Sequence, residues 1–354
     1  MKKFAWLMTP LLALALVLSA CASPVPATSA ATEAPSAATQ VGTEAPVVTQ
    51  APAGEAFRVA VVMPSAKNDL AFSQSMFDAL TRVQEEMGAD KFEFVFSEGM
   101  FVVDDAAAAI RDYASQGYNL VIAHGSQYGS SLQEIAPDFP ETSFAWGTTV
   151  DTFGQPNIFA YEAASEQGGF VNGVMAATLS KSNVIGVVGP IETGDAKLYV
   201  DGFKAGVLSV KPDAQVNVNY IGSFSDVALA SEAATTHISA GADVLTGSAQ
   251  MVVGAIGKAE ENNVLWFGTQ SNQTSLAPSI VVASQVYHWE GILKEMIALI
   301  QSGTLGGKSF KADLANGGEV IEFNPDSTVA TDAKALAETT IKGITDGTIT
   351  ITLP

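Results

Sequence analysis

The chain has 354 residues, a formal net charge of −20 and a single cysteine. So acidic a balance argues against nucleic acid as a partner, because phosphate recognition rewards basic patches. One cysteine excludes an internal disulfide and a metal site built on several thiolates.

Lys2 and Lys3 precede an apolar run from Trp6 to Leu18, and "LSAC" (Leu18 to Cys21) follows. That order is a secretory signal, and small residues ahead of a cysteine are the pattern of a bacterial lipoprotein signal. The run falls short of the roughly 20 apolar residues that a bilayer span needs. Residues 1–20 are therefore expected to be a signal peptide and Cys21 to carry lipid, placing the protein outside the cytoplasm on a cell membrane. Each buried CH₂ of the acyl chains contributes about 0.8 kcal/mol to that anchoring. Residues 22–55 are mostly Ala, Pro, Thr, Ser and Val, with three acidic residues and no basic one. Such a segment buries too little apolar surface to offset its ordering entropy, and it reads as a tether of about 30 Å if coiled.

From Arg58 onward short apolar runs alternate with segments of helical period. "RVAVVMP" (58–64) is a valine-rich strand of the buried parallel type. Phe72, Met76, Leu80, Val83 and Met87 then mark one face of a helix. "FEFVFS" (92–97) and "NLVIAHG" (119–125) are strands on either side of a helix through "DDAAAAIRDYASQG", and "TSFAWG" and "NIFAYE" are two more. After a helix over about 166–180 the rhythm repeats, with strands at "VIGVVGP" (184–190), "VNVNYIG" (216–222), "DVLTGS" (243–248) and "VLWFG" (264–268) separated by helices. Repeated β-α-β units with right-handed crossovers give parallel sheets covered by helices on both faces. The expected architecture is α/β with two Rossmann-like lobes. The first takes 56–160 plus about 285–354, and the second takes 161–284.

Ligands of open α/β sheets bind beyond the carboxyl ends of the strands. Those positions are Pro64 to Phe72, His124 to Tyr128, Glu192 and Thr193, Ser223 to Asp226, Ser248 to Gln250, and Thr269 to Gln273. Most are amides, hydroxyls or aromatics, and together they describe a shared cleft in which Ser126, Gln127, Gln250 and Gln270 are candidate contacts. Singly, each is equally a turn or a helix cap.

The enzyme signatures fail. "GPIETGDAK" (189–197) has Asp195 and Ala196 where a phosphate loop needs Lys and Ser or Thr. "GGFVNG" (168–173) lies within a helical pattern and reads as a helix-packing motif. Ser126 is outside a nucleophile-elbow frame, and His124, His237 and His288 are far apart with no metal-ligand spacing. His124, at a strand end, is the one of the three that could face the cleft.

"NDLAFSQS" (68–75), "YIGSFSD" (220–226) and "SNQTSLAP" (271–278) carry a resemblance to the basic membrane protein family, the PnrA-like substrate-binding lipoproteins of ABC importers. The similarity covers everything after the tether. It implies a type I periplasmic-binding-protein fold without catalytic activity or cofactor, whose monomeric lobes close on a purine nucleoside or base and deliver it to permease and ATPase subunits. On this resemblance Phe72 and Phe224 stack on the purine from opposite lobes, and Asn68 and Asp69 bond the base edge. The family aspartate that grips the ribose falls on Gln270 here, and a family lysine falls on Tyr287. An amide in place of a carboxylate implies a hold on ribose weaker by about tenfold or more. The expectation therefore extends to a free base or another flat neutral heterocycle, with a sugar, a flavin, a signalling molecule or nucleoside hydrolysis as alternatives.

Overall fold

The computed structural model describes residues 56–327 and 330–353; the expected signal segment, Cys21 and the tether lie outside them. Among the described residues no helix is long and apolar enough to cross a membrane.

The first lobe begins with β1 (Phe57–Val62), α1 (Phe72–Met87), β2 (Phe92–Ser97), α2 (Val103–Ser115), β3 (Leu120–His124), α3 (Gly129–Ile135), β4 (Ser143–Gly147) and β5 (Ile158–Ala163). The second follows with α4 (Ser165–Leu179), β6 (Val184–Gly189), α5 (Gly194–Val210), β7 (Gln215–Tyr220), α6 (Val227–Ser239), β8 (Val244–Gly247), α7 (Val252–Glu261), β9 (Leu265–Gly268) and β10 (Val281–Tyr287). The chain then crosses back for α8 (Glu290–Gln301) and β11 (Ser309–Ala312), and ends with β12 (Glu319–Phe323) and α9 (Ala330–Thr345).

Strand order is β11-β5-β4-β3-β1-β2 in one sheet and β12-β10-β9-β8-β6-β7 in the other. Every pairing is parallel except that of β10 with β12. The expected α/β architecture with two parallel-dominated sheets is therefore present. One boundary is corrected: β12 joins the second sheet and α9 packs on α4, so the stretch from 285 onward does not all belong to the first lobe. Only α8 and β11 return there, giving three crossings between the lobes.

Each sheet is buried on both faces, which explains the unbroken apolar strands. In β1, Val59 and Val61 join Met76, Leu80 and Val83 of α1 in one core, while Ala60 and Val62 face Ile110 and Leu132 in another. Full burial of a side chain such as Leu80 stabilises the fold by about 1.5–3 kcal/mol.

The "GGFVNG" motif does pack helices. A Cβ at Gly173 would overlap the Phe203 carbonyl, and one at Gly206 would overlap that of Phe170, so α4 and α5 meet backbone to backbone. Gly173→Ala and Gly206→Ala should each destabilise the protein by about 1–3 kcal/mol through overpacking. Gly257→Ala, in open space on α7, should be neutral or stabilising because alanine favours helix by about 1 kcal/mol. Urea-unfolding midpoints of the three variants test the contrast.

Candidate functional site

A cavity lies at the carboxyl ends of both sheets, the place where open α/β sheets take their ligands. The first lobe contributes Pro64, Phe72, Phe101, Gly125, Ser126, Gln127 and Thr148, and the second contributes Asp195, Ala196, Phe224, Ala249, Gln250 and Gln270. These residues follow β1, β2, β3 and β4 in one sheet and β6, β7, β8 and β9 in the other. Both sheets reverse winding direction here, at β1/β3 and at β6/β8, and such switch points open a crevice.

Phe72 is held from behind. Its ring stacks on His124 with centroids 3.7 Å apart and planes 6° from parallel, and Tyr161 continues the column 6.0 Å beyond. His124 Nε2 lies 3.0 Å from the Phe72 carbonyl and Nδ1 lies 2.7 Å from the Tyr161 hydroxyl. A carbonyl only accepts, so Nε2 carries the proton and Tyr161 donates to Nδ1. Complete burial pushes the His124 pKa down to about 3, which keeps the imidazole neutral. His124 is thus the support of the aromatic wall and does not line the cavity.

Phe224 sits on a loop fixed by local polar bonds. Ser223 Oγ accepts from the amides of Ser225 and Asp226, the Asp226 carboxylate caps α6 through the Leu229 amide, and the Phe224 carbonyl accepts from the Met251 amide. Two lining residues, Ala249 and Gln270, hold left-handed backbone at φ 74° and 69°. Non-glycine residues reach this region rarely and at a cost, here at the positions whose neighbours and side chains meet the cavity.

At the polar end Asp195, in the first turn of α5, is 7% exposed. Its Oδ2 accepts from the Tyr287 hydroxyl at 2.9 Å and from Gln270 Nε2 at 3.4 Å, and its Oδ1 accepts from Thr148 Oγ1 at 3.2 Å. Burial raises its pKa above the ordinary carboxylate value, and hydrogen bonds from Tyr287, Gln270, Thr148 and the Ala196 amide oppose that rise. The Thr148 bond joins the lobes directly. Gly194 adjoins it at φ 53°, and a Cβ there would stand 2.8 Å from Thr148 Oγ1.

The model of the ABC transporter substrate-binding proteins of PnrA-like type matches residues 56–350. The chain belongs to that family. It is 26% identical over 295 residues to a purine-binding protein of Brucella abortus, covering 83% of each chain. Identity is also 26% over 306 residues with an ABC transporter nucleoside-binding protein of Lactococcus lactis, covering 80% of this chain and 85% of that one. A solute-binding protein of an ABC transporter system from Aeropyrum pernix superposes with a TM-score of 0.70 at 18% identity, over 84% of this chain and 94% of that one. The last likeness is one of fold.

Of the residues singled out in the sequence, Phe72, Ser126, Gln127, Phe224, Gln250 and Gln270 line the one cavity. Asn68 is exposed and stands apart from it. Asp69 also lies off the lining: its carboxylate accepts from the amides of Ala71, Ser73 and Gln74 and so caps α1. Tyr287 is buried one layer behind, reaching the cavity only through its bond to Asp195. Beside Gln270 the cavity carries the Asp195 carboxylate, which comes from a different element, α5. Gln270 and Tyr287 both donate to Asp195 Oδ2. Sequence reading missed Asp195, Ala196, Thr148 and Phe101 as lining residues. A sign of Asp195 was available, since it begins a helix directly after the turn that follows β6.

The segment from 269 to 273 also proves less uniform than a cleft rim. Ser271 Oγ donates to the Ala71 carbonyl at 2.8 Å and Gln273 Nε2 to that of Leu70 at 3.2 Å, tying the second lobe to the loop before α1. Gln273 Oε1 accepts from the buried Trp266 indole at 2.9 Å.

His124 provides a direct check. Its imidazole nitrogen NMR shifts should stay those of the neutral ring down to about pH 4. The unfolded chain takes up this proton near pH 6.5 and the native one only near 3, so the residue subtracts stability as pH falls through that window.

Proposed function

We propose that this substrate-binding protein captures a purine base or purine nucleoside between its lobes and hands it to the membrane subunits of an importer. The observation that carries the reading is a single cavity between two strand-end surfaces with Phe72 and Phe224 in its wall and amides and hydroxyls around them. A planar heterocycle gains about 0.5–1.5 kcal/mol per aromatic pair beyond area burial. The names of the Brucella and Lactococcus relatives support purines and nucleosides as the ligand class.

The protein acts as a monomeric receptor and not as an enzyme. Among the described residues lining the cavity, Asp195 alone has an ionisable side chain, and hydrogen bonds from three neighbours already hold it. Lobe closure about the three crossings buries the ligand. Lipid on Cys21 keeps the receptor on the outer or periplasmic face of the membrane, a role supported by the basic pair, the apolar run and the "LSAC" that precede the tether.

Phe72→Ala and Phe224→Ala should each weaken purine binding by about tenfold or more and leave the circular-dichroism spectrum unchanged. Calorimetric titration with the ligand found by mass spectrometry of the purified protein measures this. Wild-type affinity in both variants would remove the stacking model. A thermal-shift panel of bases, nucleosides and flavins identifies the class, because a true ligand stabilises by RT ln(1 + [L]/Kd).

A further inference from the structure

Near Asp195 the cavity holds buried acceptors that have no partner among the described residues. The Asp195 carboxylate offers about four lone-pair directions, and Tyr287, Gln270 and Thr148 use three of them. Because the carboxylate only accepts, the Gln270 amide must turn its nitrogen toward it, which leaves Gln270 Oε1 buried with no partner among the described residues. Gln250 Oε1 is also buried with no partner among the described residues. Both glutamines line the cavity with Asp195, and no Lys, Arg or His does so among the described residues. Unmet buried acceptors are costly, and a charge in a dry site repels another of its sign.

From this we infer that Asp195 sets the chemistry of the ligand: the cleft selects a flat neutral or cationic molecule that presents adjacent hydrogen-bond donors to the Asp195 carboxylate and the glutamine oxygens, and it turns away phosphorylated or carboxylated ones. The inference rests on the reading of the cavity as a heterocycle site and adds what the heterocycle must carry. Adjacent donors can come from the N–H and amino edge of a base such as guanine or from the vicinal hydroxyls of a ribose. The contact also couples selection to closure, since Thr148 belongs to the first lobe and Asp195 to the second. A ligand that donates to Asp195 joins a network whose Thr148 bond exists only when the two lobes meet.

Acidity gives a second handle. The titratable groups around Asp195 are Tyr287 of β10 and Tyr161 of β5, with His124 behind Tyr161 and Glu319 of β12 beyond Tyr287. Lys197, Glu192 and Asp201 form ion pairs around its own helix. Burial holds both phenols well above their ordinary pKa and His124 near 3, so none of these three changes charge between acid and neutral pH. Burial raises both Asp195 and Glu319, and replacing Asp195 alone separates the two. A donor ligand prefers ionised Asp195, so affinity is present above its pKa and lost as pH falls through it.

The experiment is calorimetric titration of wild type and Asp195→Asn at about pH 7.5 and about pH 4.5. The ligands are guanine, guanosine, 2′,3′-dideoxyguanosine, guanosine monophosphate and riboflavin. Wild type should bind the donor-bearing neutral ligands, weaken at the lower pH and discriminate against the monophosphate. Asp195→Asn should lose about tenfold or more in affinity, show a flatter pH response and discriminate less against the monophosphate. Loss of binding with dideoxyguanosine assigns the donors to the ribose; its retention assigns them to the base. Wild-type affinity and pH response in Asp195→Asn would overturn the inference while leaving the purine reading in place. Riboflavin binding lost in Asp195→Asn, with no purine bound by wild type, would overturn the purine reading and keep the role of Asp195. Binding of none of the five by wild type would overturn both. Should Asp195→Asn fail to match the wild-type melting temperature, wild-type binding of guanosine monophosphate as tight as that of guanosine overturns the inference by itself.

Discussion

A carboxylate taken out of water without a cation must be met by hydrogen-bond donors, and that requirement gathers the cleft around Asp195. Its three donors come from three different parts of the chain: Thr148 beyond β4, Gln270 beyond β9 and Tyr287 at the end of β10. Thr148 brings in the first lobe, Gln270 the second, and Tyr287 the strand that leads into a crossing. The position of one buried charge therefore constrains the lobes, the hinge and the polar end of the cavity together.

The aromatic end follows a different logic. Phe72 can present a flat, fixed face only because something equally flat backs it, and His124 does so in the neutral form that burial enforces. The backbone carbonyl of Phe72 and the hydroxyl of Tyr161 fix the tautomer, which locks the ring plane. Asp69 contributes from below, by capping the helix that begins at Phe72. The first-lobe wall is thus stiff before any ligand arrives, whereas Phe224 stands half-buried on a turn held by hydroxyl and carboxylate caps.

Much of this was legible in the chain. The valine-rich strands and the three- and four-residue spacing of Phe72, Met76, Leu80 and Val83 gave a two-sheet α/β fold, because burial on both faces leaves that pattern directly in the sequence. The polar strand ends located the cleft, and the glycines of "GGFVNG" were readable as helix packing. The roles of individual polar residues were harder to read. Asp69 and Gln273 resemble ligand contacts by residue type, yet one caps a helix and the other serves the Trp266 indole and the opposite lobe.

The sequence by itself determined which segments are strands and helices, which faces they bury and which family pattern they follow, since periodicity and motif are local properties of the chain. Tertiary structure alone decided which sheet the last strand joins, which helix α9 packs on, and that Gln270 and Tyr287 both bond Asp195. Gln270 lies 75 residues from Asp195, and Tyr287 lies 92 away. Apolar spacing says that a face must be covered but not by what, and a carboxylate on a helix start looks the same in sequence whether it meets water or three buried donors.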